Sequence, residues 1–338
     1  MRVESKVEIR SNSVRVRVVD AMRGVASMVV ALFHMGLLDI GWIGVPIFFV
    51  ISGFVIPLAM YKGGYTLSAW PRYILKRIAR IEPPYLVAVL MALVLAWLSS
   101  IAPGYRGGGF DVAPMDVILH VGYLVDFFGH RWLNPVFWTL SIEFQYYLFV
   151  SLAFFALCSG QLAVRALFMF SCLVIEFLFP EYRPLLFSWM GLFCVGIAAF
   201  LFYIKKIGWG EMLLYFAACG ITLTVYSPED ARFSGPIIAA VAMAAGLMIV
   251  LYRSRVFKPL AFLGSISYSL YLVHVPIGGR VINLGSRFID SSEVESLLLR
   301  AIAMLISLLA AWLFYVAIEK PAVGWASAIS YRRGGKRK

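Results

Sequence analysis

Apolar runs about twenty residues long recur along this chain, and they restrict its fold more than any other feature. Runs of this length cross the hydrocarbon core of a bilayer as α-helices. The composition agrees, because 62% of the residues are hydrophobic and 14% are charged. The sequence therefore predicts an all-α fold, a polytopic integral membrane helix bundle with about ten transmembrane helices. The predicted spans are Val18 to Leu38, Val45 to Met60, Pro84 to Ile101, Phe137 to Cys158, Ala166 to Phe179, Leu185 to Ile204, Glu211 to Tyr226, Pro236 to Leu251, Ala261 to Ile282 and Leu297 to Ile318.

The basic residues indicate which side of the membrane each connection occupies. They cluster in an N-terminal arm over residues 1–17, in alternate connections between the spans, and in a C-terminal tail over residues 321–338. The positive-inside bias then places both termini in the cytoplasm. The membrane domain is predicted over residues 18–320. We interpret residues 111–128 as interfacial or re-entrant, because a full crossing there would move every later basic cluster to the wrong side. The formal net charge of +12 is thus a topology signal, and we expect no nucleic-acid partner.

The first predicted span carries both an arginine and a histidine. Arg23 precedes His34 by eleven positions, so the two side chains share a helix face and lie about 16 Å apart along the axis. Ionisable side chains inside a span are costly, and their default interpretation is functional. The span then presents a cation near its inner edge and a titratable imidazole near its outer edge. This arrangement suits a reaction whose substrates arrive from opposite sides.

Two further arginines stand where the third span begins. Arg77 and Arg80 are three residues apart, so on a helix they project from the same side and can clamp a polyanion with forked donors. The sequence predicts a cationic ledge that faces the cytosol. The alternative is that both arginines set the topology and bind lipid headgroups.

The fourth predicted span opens with a buried carboxylate among aromatic residues. Glu143 lies about two turns inside the apolar zone, at a depth comparable to that of His34. A carboxylate at that depth needs a partner, and His34 is the obvious candidate, although Glu143 could also fix packing against a neighbouring helix. Trp138 and Tyr146 are candidates for substrate contact, with interfacial anchoring as the alternative.

Other polar residues in the spans are weaker candidates. His274 is predicted in the outer half of the ninth span, where it either lines an acceptor cavity or is satisfied by a neighbouring helix. Ser52 and Gly53 are expected to permit close helix packing. The four cysteines lie in or at the ends of apolar spans without Cys-x-x-Cys spacing, so we expect no disulfide framework and no metal site.

Several segments together resemble one family. VDAMRGVASMVVALFH, from Val19 to His34, is similar to the first span of the acyltransferase-3 family of bacterial integral-membrane O-acyltransferases, with its Arg-x10-His spacing. Further matches follow in the family's order. They are GVPIFFVISGFVI from Gly44, the Arg77 and Arg80 pair, FWTLSIEFQYY from Phe137, SISYSLYLVHVPI from Ser265 and IEKP from Ile318. Ala21, Pro46, Thr139 and Phe144 depart from the family pattern, which affects the expected substrate fit more than the expected activity.

The resemblance implies a carbohydrate O-acetyltransferase of the bacterial cytoplasmic (inner) membrane, without a permanently bound cofactor. Its donor substrate would be cytoplasmic acyl-CoA, commonly acetyl-CoA, and its acceptor a hydroxyl of a carbohydrate or glycolipid across the membrane. Arg77 and Arg80 would bind the phosphates, and Arg23 would steer the pantetheine arm or its phosphates into the bundle. His34 would act as general base, with Glu143 either orienting it or stabilising its imidazolium form. A covalent acyl-histidine intermediate stays open.

Two other classes compete with this interpretation. A polytopic transporter or flippase for a glycan or anionic substrate also places Arg, Glu and His within the membrane, but we find neither inverted repeats nor paired broken helices. The other membrane acyltransferase superfamily uses a membrane histidine as well, without the Arg-x10-His spacing. Which glycan and which hydroxyl are acylated stays open at this stage.

Overall fold

Every regular element in the described part of the chain is helical. The computed structural model describes residues 2–102, 110–178, 184–225, 234–252, 257–289 and 292–331, and the side chains from residue 17 onward. The α-helices are α1 (Arg2–His34), α2 (Gly44–Gly63), α3 (Trp70–Ser100), α4 (Pro114–Val121), α5 (Trp138–Leu157), α6 (Leu162–Leu178), α7 (Met190–Tyr203), α8 (Trp209–Val225), α9 (Gly235–Leu251), α10 (Lys258–Ser265), α11 (Ser267–Gly285), α12 (Glu293–Phe314) and α13 (Lys320–Ala328).

The number of membrane spans differs from the expected ten. Within the described residues, five helical stretches are long and apolar enough to cross a membrane, and a sixth is added if α10 and α11, bent by 68° at their junction, form one span. The five are Gly41–Gly63, Leu67–Ser100, Trp138–Leu157, Leu186–Tyr203 and Glu293–Ala328. The prediction of about ten spans is therefore not confirmed, although a helix occupies each of the ten predicted runs.

Charge and length explain the difference. The described side chains of α1 include Arg17, Asp20 and Arg23, which lower the hydropathy of that helix. α9 is 17 residues long, or about 26 Å at 1.5 Å per residue, slightly less than a bilayer core. For α6 and α8, 17 residues each are described. The ambiguous segment 111–128 contains only the eight-residue helix α4 and a 3-10 turn at Asp126–Phe128. Such a helix is about 12 Å long and cannot cross a membrane.

Close backbone contact between α2 and α7 forms the centre of the larger hydrophobic cluster. A side chain at Gly53 would meet the carbonyl oxygen of Phe193 at 2.2 Å, and one at Gly196 would meet that of Val50 at 2.0 Å. Small residues allow this approach in membrane bundles. The close packing predicted for Gly53 is thus confirmed, and its neighbour Ser52 faces the other way, toward a cavity.

α1 packs against α2, α10 and α11, and α11 packs against α12. α12 continues into a π-helical turn, Tyr315–Glu319, before α13 begins. π-turns inside α-helices are rare and often mark functional sites. Here the turn ends on Glu319, whose side chain reaches the same cavity as Ser52.

Candidate active site

A cavity lies between α1, α2, α3, α5, α11 and the π-turn. Apolar side chains of α2 form one wall, and charged and hydroxyl-bearing side chains form the rest. The polar lining consists of Arg23, Ser52, Arg77, Arg80, Thr139, Glu143, Tyr147, Ser267, Tyr268, Tyr271 and Glu319. We call this space the arginine cavity.

Three arginines from two helices converge on it. Arg77 and Arg80 lie on α3 within one turn of each other, and Arg23 reaches the cavity from α1. Among the described residues, no carboxylate lies within 4 Å of any of the three guanidinium groups, since the ion pairs found there are His130 with Asp116 and Arg165 with Glu211. The cavity thus combines three guanidinium groups that no direct ion pair neutralises. Such a site favours an anionic ligand with several acceptor oxygens.

Arg77 corrects the prediction of an exposed ledge. Its side chain is only 7% exposed, and its guanidinium carbon lies 5.1 Å from the ring centre of Tyr73 and 5.3 Å from that of Tyr147. The rings hold the guanidinium group by cation–π contacts, while its Nε has no hydrogen-bond partner. Arg80 is half-buried. The arginines therefore line an internal cavity and do not form an open surface.

Glu143 lies in this cavity and not beside His34. Its Oε1 accepts a hydrogen bond of 2.8 Å from the Ser52 hydroxyl, which joins α5 to α2. No hydrogen bond or ion pair within the described part of the chain joins Glu143 to His34, so the predicted pairing of the two side chains is wrong. Equal depth along two helices fixes the level of two side chains but not the direction in which each one points.

A second carboxylate in the cavity, Glu319, has no assigned role in the sequence interpretation. Its Oε2 accepts hydrogen bonds from the backbone N–H of Ser269 at 3.1 Å and from the hydroxyl of the same residue at 2.5 Å. These contacts tie the π-turn to α11. The only signal in the sequence was that both residues fall within segments that match the family pattern, IEKP and SISYSLYLVHVPI.

His34 pairs with a second histidine. Its ring is exposed and lies at the last residue of α1, with Nδ1 at 3.0 Å from the carbonyl oxygen of Val30 and at 3.2 Å from Nε2 of His274. The two rings meet edge to face with their centres 5.1 Å apart. His274 is fully buried, and its contacts to Leu270 and His34 agree with the second of its two alternatives, a histidine satisfied within the bundle.

One side chain connects the histidine pair to the arginine cavity. Tyr271 lines the cavity, and its ring centre is 6.0 Å from that of His274. Its hydroxyl is 2.6 Å from the hydroxyl of Thr139. The histidine pair therefore lies one side chain away from the cavity, toward the C-terminal end of α1.

The two aromatic candidates on α5 lie outside the cavity. Tyr146 is fully buried and stacks on Phe193, with ring centres 4.1 Å apart. Trp138 packs against Phe49 and Trp189. Both take part in aromatic packing with Phe49, Trp189 and Phe193 and neither lines the arginine cavity, so their contact with substrate stays a prediction. The aromatic residues that line the cavity are instead Phe48, Phe49, Tyr147, Tyr268 and Tyr271.

The four cysteines are free thiols, and three of them are buried in the larger hydrophobic cluster. No group of three or more His, Cys, Asp or Glu side chains is arranged to hold a metal ion within the residues described. The polar side chains of the arginine cavity and the histidine pair supply guanidinium, carboxylate, hydroxyl and imidazole groups.

Comparison with known families decides the class. Residues 16–316 match the acyltransferase domain that defines the acyltransferase-3 family. This range runs from within α1 through α12 and includes Arg23, Arg77, Arg80, His34 and His274. This chain belongs to the acyltransferase-3 family. It is accordingly a multi-pass membrane acyltransferase, and the transporter or flippase alternative is set aside.

Two relatives illustrate the membership. The acyltransferase-3 chain is 27% identical over 337 residues to a protein of Komagataeibacter xylinus named as the membrane-bound transacylase BcsY, covering 92% of this chain and 84% of that protein. It is 25% identical over 280 residues to a protein of Acidianus two-tailed virus named as an acetyltransferase, covering 75% and 81% of the two chains. No solved structure matches this chain significantly.

Proposed function

We propose that this acyltransferase moves an acyl group, acetyl in the simplest case, from cytoplasmic acyl-CoA to a sugar hydroxyl of a carbohydrate or glycolipid. The convergence of Arg23, Arg77 and Arg80 on one cavity supports the proposal most strongly. Coenzyme A carries several phosphate charges, and guanidinium groups bind phosphate oxygens through paired hydrogen bonds. A cavity with three guanidinium groups lacking ion-pair partners suits that ligand.

The two carboxylates of the cavity then have an electrostatic role. Glu143 and Glu319 reduce the mutual repulsion of the arginines when no donor is bound, and their hydrogen bonds to Ser52 and Ser269 hold them in place. They do not touch His34. This role replaces the orientation of His34 that the sequence suggested for Glu143.

The acyl group must then travel along α1. Arg23 and His34 are separated by about 16 Å along the helix axis, a distance that an extended pantetheine arm can bridge. Tyr271 lies between the cavity and the histidine pair, so the thioester would pass along this side chain. The basic termini favour a cytoplasmic arginine side, in a bacterial inner membrane, and the acceptor would then approach His34 from the opposite side.

The chemical step follows from the weak nucleophilicity of a sugar hydroxyl. The His34 imidazole takes the hydroxyl proton as the oxygen attacks the thioester carbonyl carbon. The carbon–sulfur bond breaks, and the proton passes to the departing thiolate of coenzyme A. A positioned base of this kind contributes a rate gain of about 10² to 10⁴. A carbohydrate acceptor is the expectation from the family resemblance.

Label transfer tests this proposal. The purified protein in nanodiscs is incubated with radiolabelled acetyl-CoA and a glycan extract, and the label in the glycan is counted. We expect transfer by the wild type and by His130→Ala, whose histidine lies on the 110–137 segment beside Asp116. We expect a loss of about 10² to 10⁴ for His34→Ala. Undiminished transfer by His34→Ala would remove His34 from the mechanism.

A further inference from the structure

The partners of the two histidines determine which ring nitrogens carry protons. His274 Nδ1 lies 2.8 Å from the carbonyl oxygen of Leu270, one turn earlier on α11. A carbonyl only accepts hydrogen bonds, so this nitrogen carries the proton of the ring. In the neutral ring, Nε2 of His274 is therefore the acceptor. The ring is fully buried, which favours its neutral form.

The same reasoning applies to His34. Its Nδ1 faces two acceptors, Nε2 of His274 at 3.2 Å and the carbonyl oxygen of Val30 at 3.0 Å. A nitrogen between two acceptors must be the donor, so Nδ1 of His34 carries the proton. The other nitrogen, Nε2, then holds a free lone pair. Because the His34 ring is exposed, this lone pair is accessible to a substrate.

We infer that His274 is the positioning residue of His34: with the Val30 carbonyl it holds the ring in the orientation and tautomer in which Nε2 removes the proton from the acceptor hydroxyl. The inference rests on the proposed function, in which His34 is the base, and it gives His274 the orienting role first expected of Glu143. When Nε2 of His34 gains the proton, Nδ1 keeps its own proton and continues to donate to His274 Nε2. The imidazolium is thereby stabilised by a neutral acceptor.

A histidine suits this position better than a carboxylate. An ionised carboxylate without a direct ion-pair partner is costly in an apolar environment. A neutral imidazole offers the same acceptor lone pair without a net charge. The Leu270 carbonyl accepts from Nδ1 of His274, so Nε2 is the nitrogen that carries the lone pair. The α11 backbone thereby sets the tautomer of His274, and His274 Nε2 accepts the hydrogen bond from His34.

Imidazole NMR tests the pairing without any substrate. The chain has only four histidines, so ¹⁵N-imidazole signals can be assigned by single replacements. At mildly alkaline pH we expect His34 of the wild type in the Nδ1–H tautomer, whereas a histidine free in water prefers the Nε2–H tautomer. The Val30 carbonyl still accepts from His34 Nδ1 in His274→Met, so we expect the Nδ1–H tautomer to persist while the Nδ1 resonance shifts with the loss of the His274 acceptor. An Nε2–H signal for wild-type His34, or an Nδ1 resonance that does not change in His274→Met, would overturn the inference.

Kinetics test the positioning role. His274→Met introduces an apolar side chain of similar volume, which removes the hydrogen-bond acceptor. We expect kcat to fall by about 10² while KM for both substrates stays within about threefold. His274→Gln restores an acceptor oxygen and is expected to regain at least part of that loss. Equal losses in both variants, or a change confined to KM, would contradict positioning by a hydrogen bond. Thermal unfolding of both variants checks that each is folded.

Different results would disprove the proposed acyl transfer and the positioning role of His274. If the wild type transfers no label from any acyl-CoA, the proposed function fails, while the NMR result still decides the pairing of the rings. If His34→Ala is inactive and His274→Met is fully active, the proposed function stands and the role of His274 falls.

Discussion

The hydroxyl of Ser52 donates a hydrogen bond of 2.8 Å to Oε1 of Glu143, joining α2 to α5 on the wall of the arginine cavity. The contact gives Glu143 a partner that does not involve a histidine. It also sets the carboxylate near the guanidinium groups rather than at the end of α1. Glu143 is therefore expected to affect the donor more than the proton transfer.

Replacing Glu143 with Gln is expected to tighten donor binding. The change removes a negative charge from a cavity proposed to hold phosphates. A unit charge about 10 Å away in a partly polar environment contributes roughly 1 to 2 kcal/mol, so KM for acetyl-CoA should fall about fivefold or more. Ser52→Ala keeps the charge and serves as the matched control. A Glu143→Gln variant that instead loses kcat to the same extent as His34→Ala would show that Glu143 belongs to the proton transfer.

In the proposed function, Arg77 contributes to donor binding at a cost in stability. Burial of its guanidinium group costs several kcal/mol, whereas two ring contacts return about 1 to 2 kcal/mol each. Without ligand, we expect the free energy of unfolding of Arg77→Met to be about 1 to 2 kcal/mol higher than that of the wild type. A large loss of stability would show that the contacts to Tyr73 and Tyr147 outweigh the desolvation.

Ligand-induced stabilisation gives a second readout on the same variant. Acetyl-CoA at a hundred times its dissociation constant should stabilise the wild type by about 2.7 kcal/mol. Arg77→Met should show little of this increase. Thermal unfolding with and without acetyl-CoA measures both values, and an equal increase in the two proteins would place the donor elsewhere.

The ion pair of Arg165 and Glu211 is expected to contribute to stability but not to catalysis. Arg165 donates to both carboxylate oxygens of Glu211, at 3.0 and 2.9 Å, and the hydroxyl of Tyr215 donates to the same carboxylate at 2.8 Å. The pair ties α6 to α8, away from the cavity. Glu211→Gln leaves a nearly buried arginine without its partner, which costs about 2 to 4 kcal/mol. We expect a lower unfolding temperature with kcat within twofold of the wild type, and a large loss of kcat in the folded variant would contradict this.

The segment between α3 and α5 should respond to acid. Its Asp116 Oδ1 lies 2.6 Å from Nδ1 of His130, and this hydrogen bond, followed by one from the backbone N–H of Ala113, lowers the pKa of the Asp116 carboxyl. The lowered pKa stabilises the folded state at any pH above the pKa of Asp116 in the unfolded chain, about 3.9. This stabilisation is lost as the pH falls through the lower pKa of Asp116 in the folded state. Hydrogen exchange of residues 110–131 should be faster in Asp116→Asn than in the wild type at neutral pH. The difference should vanish on acidification, and a difference that persists in strong acid would exclude this cause.

Sequence reasoning located the helices because each predicted run has enough apolar residues to be buried or to face lipid. It also grouped Arg77 with Arg80, since three residues on a helix put two side chains on one side. The number of spans was not determined in this way. α9, for example, is 17 residues long, and a run of that length fits both a short span and a helix packed within the bundle.

The pairing of side chains from different helices depends on helix order and rotation, which hydropathy does not encode. The ring of His34 lies within hydrogen-bond distance of His274, 240 positions away along the chain, and Glu143 accepts a hydrogen bond from Ser52. Both pairs include a residue that periodicity marks only as part of an apolar span. Glu319 reached the cavity through a π-turn, a local deviation that no helical pattern predicts.

Discrimination between two donors tests most directly whether the arginine cavity binds the phosphates of coenzyme A. Acetyl-pantetheine carries the same thioester as acetyl-CoA but no phosphate. The ratio of kcat/KM for acetyl-CoA to that for acetyl-pantetheine is measured in the wild type, in Arg80→Gln and in Arg72→Gln. Arg72 is the matched control because it lies on the same helix and donates to the Tyr331 carbonyl outside the cavity.

We predict that the wild type strongly prefers acetyl-CoA. A charged hydrogen bond contributes about 1.5 to 3 kcal/mol, so Arg80→Gln should lower the ratio roughly ten- to hundredfold, with acetyl-pantetheine used as well as before and Arg72→Gln unchanged. An equal loss with both donors in Arg80→Gln, or a ratio near one in the wild type, would contradict the account.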